Sequence, residues 1–439
     1  MSAGRPAASG RGALSAGAAL RRYLLVSFLT WFPTGLMLAS MVLLMTSRGL
    51  DLAQVGVVTA VFSVAAAVLE LPTGGLADVL GRRVVLAASA LFSVVAMSLM
   101  AVAGSFWAFV VVAVFKGVAR ALSSGPAEAW YVDTLHAAEG PEADLKPGLG
   151  RGEAMGSAAL CVATLIGGFL PLLAPGGLAA SMVASAGAAA VLFVVVLFAM
   201  PEPPRPRPSL RSVLRDVPVT VGSGLELAFT RAGLRRLVFM ACVLGVGLSA
   251  VEMLTPGRLA ALTGTVESGG SVYALVAAAG FGASGLGAWL APRAARLMRG
   301  PVAAAVAGTV AGAVALAFLA ASVALSGTAG IVAAGGAYVV MFAAVSVAEI
   351  MRAEMLHQRV ASSRRATLMS VDSLQLQLGG LAGSLGLGLL AERAGTAAAW
   401  WVAAGVLLLS APLYLRLPPA GAGPRAGHEL VREEEPEPA

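Results

Sequence analysis

Charge is scarce in this 439-residue chain: Asp, Glu, Lys and Arg make up 12% of it, about half the roughly 25% of an ordinary soluble domain. A soluble body of this length would need a polar skin that these residues cannot supply. That shortage excludes a soluble enzyme, a nucleic-acid-binding domain and a disordered protein. Cysteine is nearly absent. Cys161 and Cys242 both fall in apolar stretches, so neither a disulfide framework nor a metal-ligand spacing is available. Histidine is as rare, and His136, His357 and His428 all lie in polar joints, which leaves Asp and Glu as the candidate proton carriers within apolar segments. No Gly-x-x-x-x-Gly-Lys-Ser/Thr loop occurs, so ATP drive within the chain is not expected. No convergent nucleophile, base or metal set is visible, so an enzyme is not expected and no cofactor is implied. The first residues lack an apolar stretch of leader type, and Tyr23 is expected to open a genuine first span rather than a cleaved signal.

What the chain has in abundance is apolar runs. A helix of roughly 20 apolar residues crosses ~30 Å of hydrocarbon. Twelve candidates follow one another, at 23–46, 54–73, 84–103, 106–132, 154–174, 178–199, 237–259, 271–291, 301–323, 328–350, 367–390 and 396–415. With the N-terminus placed in the cytoplasm, 25 of the 30 Lys and Arg residues fall in inner segments. Arg48, Arg258 and Arg393 fall at outer ends, while Lys116 and Arg120 lie within a span. Basic residues gather in cytoplasmic loops, so both termini are expected inside.

The organisation reads as a cytoplasmic tail (1–22), a six-helix bundle (23–200), a linker (201–236), a second six-helix bundle (237–416) and a disordered acidic tail (417–439). The linker opens with a stiff proline-rich run. Leu210, Val213, Leu214 and Val217 then recur at helical spacing among charges. That pattern fits a helix on the inner membrane surface or, equally, a solvated loop helix. The halves repeat weakly. Leu76 and Ala77 precede Arg82 as Leu290 and Ala291 precede Arg296, and Glu128 and Asp133 are matched by Glu349 and Glu354. The fold expected is an all-α membrane protein of 12 transmembrane helices in two pseudo-symmetric six-helix bundles.

The most specific string is Gly74-Gly75-Leu76-Ala77-Asp78-Val79-Leu80-Gly81-Arg82-Arg83. It resembles the cytoplasmic signature between helices two and three of the major facilitator superfamily, Gly-x-Leu-Ala-Asp-basic-x-Gly-Arg-basic, with Val79 replacing the first basic residue. Glu70-Leu71-Pro72-Thr73 and Ser124-Gly125-Pro126-Ala127-Glu128-Ala129 resemble the 12-helix drug:proton antiporter-like branch. Glycines permit close helix approach, and Asp78 can hold Arg82 or a neighbouring helix end by charge. Gly74, Asp78, Gly81, Arg82 and Arg83 are therefore expected to gate the cytoplasmic side; the plain alternative makes the two arginines topology anchors. Pro292 stands where the second half would repeat Asp78. Two further family patterns are only loosely met. Gly156, Gly167 and Gly168 lack an adjacent proline, and Lys116-Gly117-Val118-Ala119-Arg120 leaves open which base matches the family's helix-four arginine.

Ionisable groups within the bilayer cost about 2.5–3.5 kcal/mol each on insertion scales and persist where they face a cavity or a partner. Lys116, Arg120 and Glu252 are the candidate coupling or substrate groups, with a static ion pair as the alternative. The resemblance implies that helices one, four, seven and ten line a central cavity, adding Trp31, Phe32, Tyr338 and Phe342, unless these aromatics serve ordinary packing. Glu70, Glu128, Asp133, Glu349 and Asp372 lie near inner ends as candidate gate residues. The resemblance implies a secondary transporter in the inner cell membrane, a monomer in the lipid bilayer with no nucleic-acid partner. It would move a small-molecule solute by alternating access, first as proton-coupled efflux of a hydrophobic or cationic compound. Uptake or facilitated diffusion of a polar metabolite is the alternative, and a non-transporting membrane sensor the remote one.

Overall fold

With no water in hydrocarbon, every backbone N–H and C=O must find a partner within the chain, and a helix achieves this span by span. The computed structural model describes residues 14–140, 142–202, 226, 229–230, 232–360 and 365–418, with side chains placed for all but 71–75, 78 and 365–367. Among the described residues, 12 helices are long and apolar enough to cross a membrane, and there is no strand. They are α1 (Ala16–Ser47), α2 (Leu52–Leu80), α3 (Arg82–Val102), α4 (Phe106–Glu139), α5 (Lys146–Leu173), α6 (Leu178–Ala199), α7 (Ala232–Thr263), α8 (Val266–Leu297), α9 (Pro301–Ala324), α10 (Gly327–His357), α11 (Arg365–Ala394) and α12 (Thr396–Leu415). The surface helix expected over 210–217 and the acidic tail lie outside the described residues. Helix α1 begins at Ala16, so Arg21 and Arg22 sit in its first turns rather than in a preceding tail.

Three spans are interrupted, α12 at Ala411 just before Pro412 and two others earlier in the chain. Helix α1 pauses at Ala39–Ser40, where the Ser40 hydroxyl meets Ser181 Oγ at 3.1 Å. Helix α4 pauses at Ser124–Gly125, and Pro126 starts its second segment, as fits a residue with no N–H to leave unpaired.

The packing pairs repeat between halves. Helix α1 packs on α5 and α6, α2 on α4, and α3 on α4 and α6; correspondingly α7 packs on α11 and α12, α8 on α10, and α9 on α10 and α12. Between halves, α2 meets α11 and α5 meets α8, which is one contact seen twice. Close approach at the intra-bundle pairs depends on glycine. A Cβ on Gly167 of α5 would overlap the Leu36 carbonyl of α1, and one on Gly379 of α11 would overlap the Cys242 carbonyl of α7. Bare backbone against backbone gains dispersion that a side chain would forbid.

Two arginines also repeat. Arg48, closing α1, donates to the carbonyls of Met100, Ala101 and Ala103 at the end of α3. Arg258, near the end of α7, donates to those of Ser322, Val323 and Leu325 at the end of α9. Both cap carbonyls that a helix leaves unpaired, which gives a structural reason for basic residues on the face where few were expected.

The cores differ between the two ends. With 12 spans the described chain starts and finishes on one face, here the terminal face. At the opposite, far face a single apolar cluster joins both bundles, taking Leu43, Met45 and Phe109 from the first and Leu254, Tyr273 and Trp400 from the second. Towards the terminal face the cores are separate. One holds Tyr23, Leu86, Trp130 and Val196 of the first bundle, the other Leu237, Met351, Leu356 and Tyr414 of the second. The bundles are thus sealed together at the far face and individually packed at the terminal face.

Gly379→Ala should lower the melting temperature of the purified protein, because overpacking a closed contact costs about 1–3 kcal/mol. Gly380→Ala, next to it but with nothing within 4 Å of the added methyl, should leave it unchanged. Equal melting of the two variants would refute the close-approach account.

Candidate functional site

A cavity of about 340 Å3 lies between the bundles. Helix α4 sets Lys116 and Arg120 one turn apart on its wall, and α7 supplies Glu252. Helix α1 contributes Trp31, Met37 and Met41; Phe62 comes from α2, Met97 from α3 and Phe281 from α8. Lys116 Nζ stands 3.0 Å from Met41 Sδ and 4.7 Å from the centre of the Phe62 ring. The Arg120 guanidinium lies 5.0 Å over the Trp31 ring. No carboxylate of a described residue comes within ion-pair reach of either base. Lys116 and Glu252 lie close enough to feel each other's charge, yet Arg120 and Glu252 keep exposed surface, as groups facing a wet cavity do. Three charges therefore share one chamber without neutralising one another by contact.

A second, polar chamber of about 200 Å3 adjoins the first, sharing Thr30, Trp31, Arg120 and Ser123 with it and adding Tyr23, Ser27, Glu128 and Glu153. These last residues lie towards the terminal face, so the path from the cavity leads that way, past Arg120. The far end is closed by the shared apolar core.

The structure brings Trp31, Lys116, Arg120 and Glu252 together, as the sequence suggested, but not the other aromatics. Tyr338 is 1% exposed, stacked on Phe342 at 4.7 Å and edge-on to Tyr273 at 6.0 Å. It fills the space that Gly280 leaves on α8, and helix α10 contributes nothing to the wall. Phe32 stacks on Phe28 at 5.3 Å instead. Sequence reading missed Ser89 and Ser93 of α3, which both line the cavity; two hydroxyls four residues apart in an otherwise apolar span were the available signal.

The inner acids separate into three kinds. Glu70 joins the bundles, accepting from Gln377 Nε2 at 2.8 Å and Ser373 Oγ at 3.4 Å on α11. Glu128 faces the polar chamber. Asp133, Glu349 and Asp372 are taken up within single bundles. Asp133 pairs with Arg82 at 2.7 Å. Arg352 binds both oxygens of Asp372 at 2.6 and 2.9 Å, Glu349 at 2.7 Å, and the Leu237 carbonyl at 3.2 Å. Glu349 and Asp372, expected at a gate, thus sit in a clamp inside the second bundle that ties α10 to α11 through Arg352. The sequence placed Arg352 in a joint because its apolar run ends at 350, but the helix continues to His357. Of the signature string, Gly74 and Asp78 are helical in α2 and the Asp78 side chain lies outside the described residues. Gly81 links α2 to α3 at φ 104°, and the Arg83 N–H donates to Glu202 Oε1 at 2.7 Å.

Removing one member of a buried charge cluster costs about 3–5 kcal/mol, because its partners are stranded. Arg352→Met should therefore sharply reduce the folded fraction in size-exclusion chromatography, and adding Glu349→Gln with Asp372→Asn should restore much of it. No gain from the added changes would argue against a purely structural clamp.

The comparisons with known proteins agree with this architecture. Residues 23–353 match the family described as Major Facilitator Superfamily. The crystal structure of the nucleoside transporter NupG superimposes with a TM-score of 0.74 at 15% identity, covering 91% of this chain and 98% of that one. That of a D-xylose-proton symporter gives 0.67 at 14% identity, covering 92% and 98%. That of the human organic anion transporter TETRAN gives 0.61 at 18%, covering 91% and 99%. No curated protein sequence is recognisably similar. At such identities the structural likeness speaks for the fold, while the family match spans most of the sequence. The chain belongs to the Major Facilitator Superfamily and is a multi-pass membrane transporter of that family.

Proposed function

We propose that the protein is a proton-coupled secondary transporter that carries a small organic solute with an apolar body by alternating access. One observation carries the reading: two bases and an acid, none in contact with an opposite charge, share a chamber sealed at the far face and leading to the terminal face. The excess of basic residues around the terminal face supports reading it as the cytoplasmic one, with both termini on the inner side of the inner cell membrane. The chamber is complete within one chain, which suits a monomer. The signature residues Gly74, Asp78, Gly81, Arg82 and Arg83 would close the cytoplasmic side in the alternate state, with Glu70 as the inner contact between bundles.

The walls favour one of the solute classes weighed from the sequence. Uptake of an uncharged polar metabolite, as the names of the nucleoside and xylose carriers would suggest, needs neutral hydrogen-bonding groups free to meet its hydroxyls. Most of the hydroxyls on this wall already donate within the protein: Thr30 to Val26, Thr59 to Val55, Ser89 to Ala119, Ser123 to Arg120 and Ser185 to Pro33, each to a backbone carbonyl. Methionine and aromatic side chains make up much of the rest, which supports the apolar half of the drug-efflux expectation. The cationic half has less support, since two bases oppose one acid.

Glu252 is the coupling group in this reading, being the acid in the chamber. In proteoliposomes loaded with a compound that raises the protein's melting temperature, Glu252→Gln should reduce pH-gradient-driven transport to the level of empty vesicles and spare solute exchange. Gradient-driven transport at the wild-type rate would sink the coupling role.

A further inference from the structure

The charge pattern of the chamber goes further than the transport reading on which it rests. We infer that the solute is an organic anion, held by Lys116 and Arg120, and that it travels in the same direction as the proton on Glu252. Lys116 carries three N–H donors and Arg120 five. In contact with them are a thioether at 3.0 Å and the face of a phenyl ring for the lysine, and the face of an indole for the arginine; Glu70 on α2 acts on Arg120 by charge alone and accepts its hydrogen bonds from α11. A thioether is a weak acceptor, and an aromatic face attracts a cation without taking its hydrogen bonds. Donors left this way within a membrane protein call for an acceptor that the described residues do not provide.

Position fits the same ligand. Residues four apart on a helix are neighbours at about 5–6 Å between Cβ atoms, so one carboxylate or sulfonate can accept from both bases. Its apolar body would lie against Met37, Met97, Phe62 and Phe281, and the volume of about 340 Å3 suits a solute of one or two rings.

The sign of coupling follows from charge. With Glu252 ionised the chamber holds two positive charges and one negative; with Glu252 protonated it holds two positive charges alone. An anion binds the second form better, so proton and solute load together, whereas an antiporter needs them to compete. The titratable groups facing Glu252 are Lys116 on α4 and the phenols of Tyr273 on α8 and Tyr338 on α10. Among the described residues, α11 and α12 present no charge that acts on it. On this inference proton and solute move together, where the sequence resemblance implied antiport.

Melting temperatures of the full-length purified protein test this with matched probes: benzoate, 2-naphthoate and octanoate, each beside the alcohol and the amine of the same skeleton. The carboxylates should stabilise the wild type and the amines should not. Carboxylate affinity should rise about tenfold from mildly alkaline to mildly acidic buffer, as removal of one unit of opposing charge at low effective dielectric requires. In Glu252→Gln the affinity should be high and independent of pH, and in Lys116→Gln or Arg120→Gln it should be lost while the unliganded protein melts normally. Stabilisation by amines or alcohols instead, or by none of the carboxylates, overturns the anion assignment and leaves the transport reading standing. Carboxylate affinity that falls on acidification overturns cotransport. Binding of a carboxylate that never crosses the wall of proteoliposomes would instead sink the transport reading while the anion site stands.

Discussion

The constraint from which the rest of the structure follows is the low dielectric of the bilayer. It makes an unpaired peptide group costly, so the chain becomes helices; it removes the ordinary hydrophobic drive between helices, so packing falls to close fit. Gly167 and Gly379, set against opposing carbonyls, show that fit at its tightest. The same constraint sorts the ionisable groups. Arg352 is retained with two carboxylates around it, and Arg48 and Arg258 with carbonyls at the ends of neighbouring helices. Among the described residues Lys116, Arg120 and Glu252 have no such partners, and they are kept where a cavity lets water or a ligand reach them.

Duplication explains much of the frame and little of the site. The arginine caps, the glycine contacts and the helix pairs recur in both halves. The cavity wall does not recur: most of it belongs to α1–α4, and the second bundle gives Glu252 and Phe281. One half carries the charged recognition surface and the other lends an acid and a ring. Such division lets the shared scaffold keep its packing while one wall is free to vary.

The helix count, the family and the grouping of Lys116, Arg120, Glu252 and Trp31 were legible in the sequence because each rests on composition or on a local string. Charges within apolar runs stand out before any fold is known. What stayed hidden depended on helix rotation and on helix length beyond the apolar run. Tyr338 turns towards Gly280 and Tyr273 rather than the cavity, a matter of which way α10 faces. Arg352 looked like a loop residue because hydropathy ends before the helix does, so the clamp on Glu349 and Asp372 could not be seen. Ser89 and Ser93 were visible as letters, but a serine in a membrane helix can satisfy itself on its own backbone, so spacing alone did not mark them as cavity residues.

The single apolar core at the far face has a thermal consequence. Opening the chamber to that side requires parting surfaces such as Leu43, Met45, Leu254 and Tyr273 and wetting what they cover. Exposure of apolar surface raises heat capacity, and the penalty for it weakens on cooling. The balance between the two orientations should therefore tilt towards the far-side-open form in the cold, and the temperature dependence of the turnover should curve rather than follow a straight Arrhenius line.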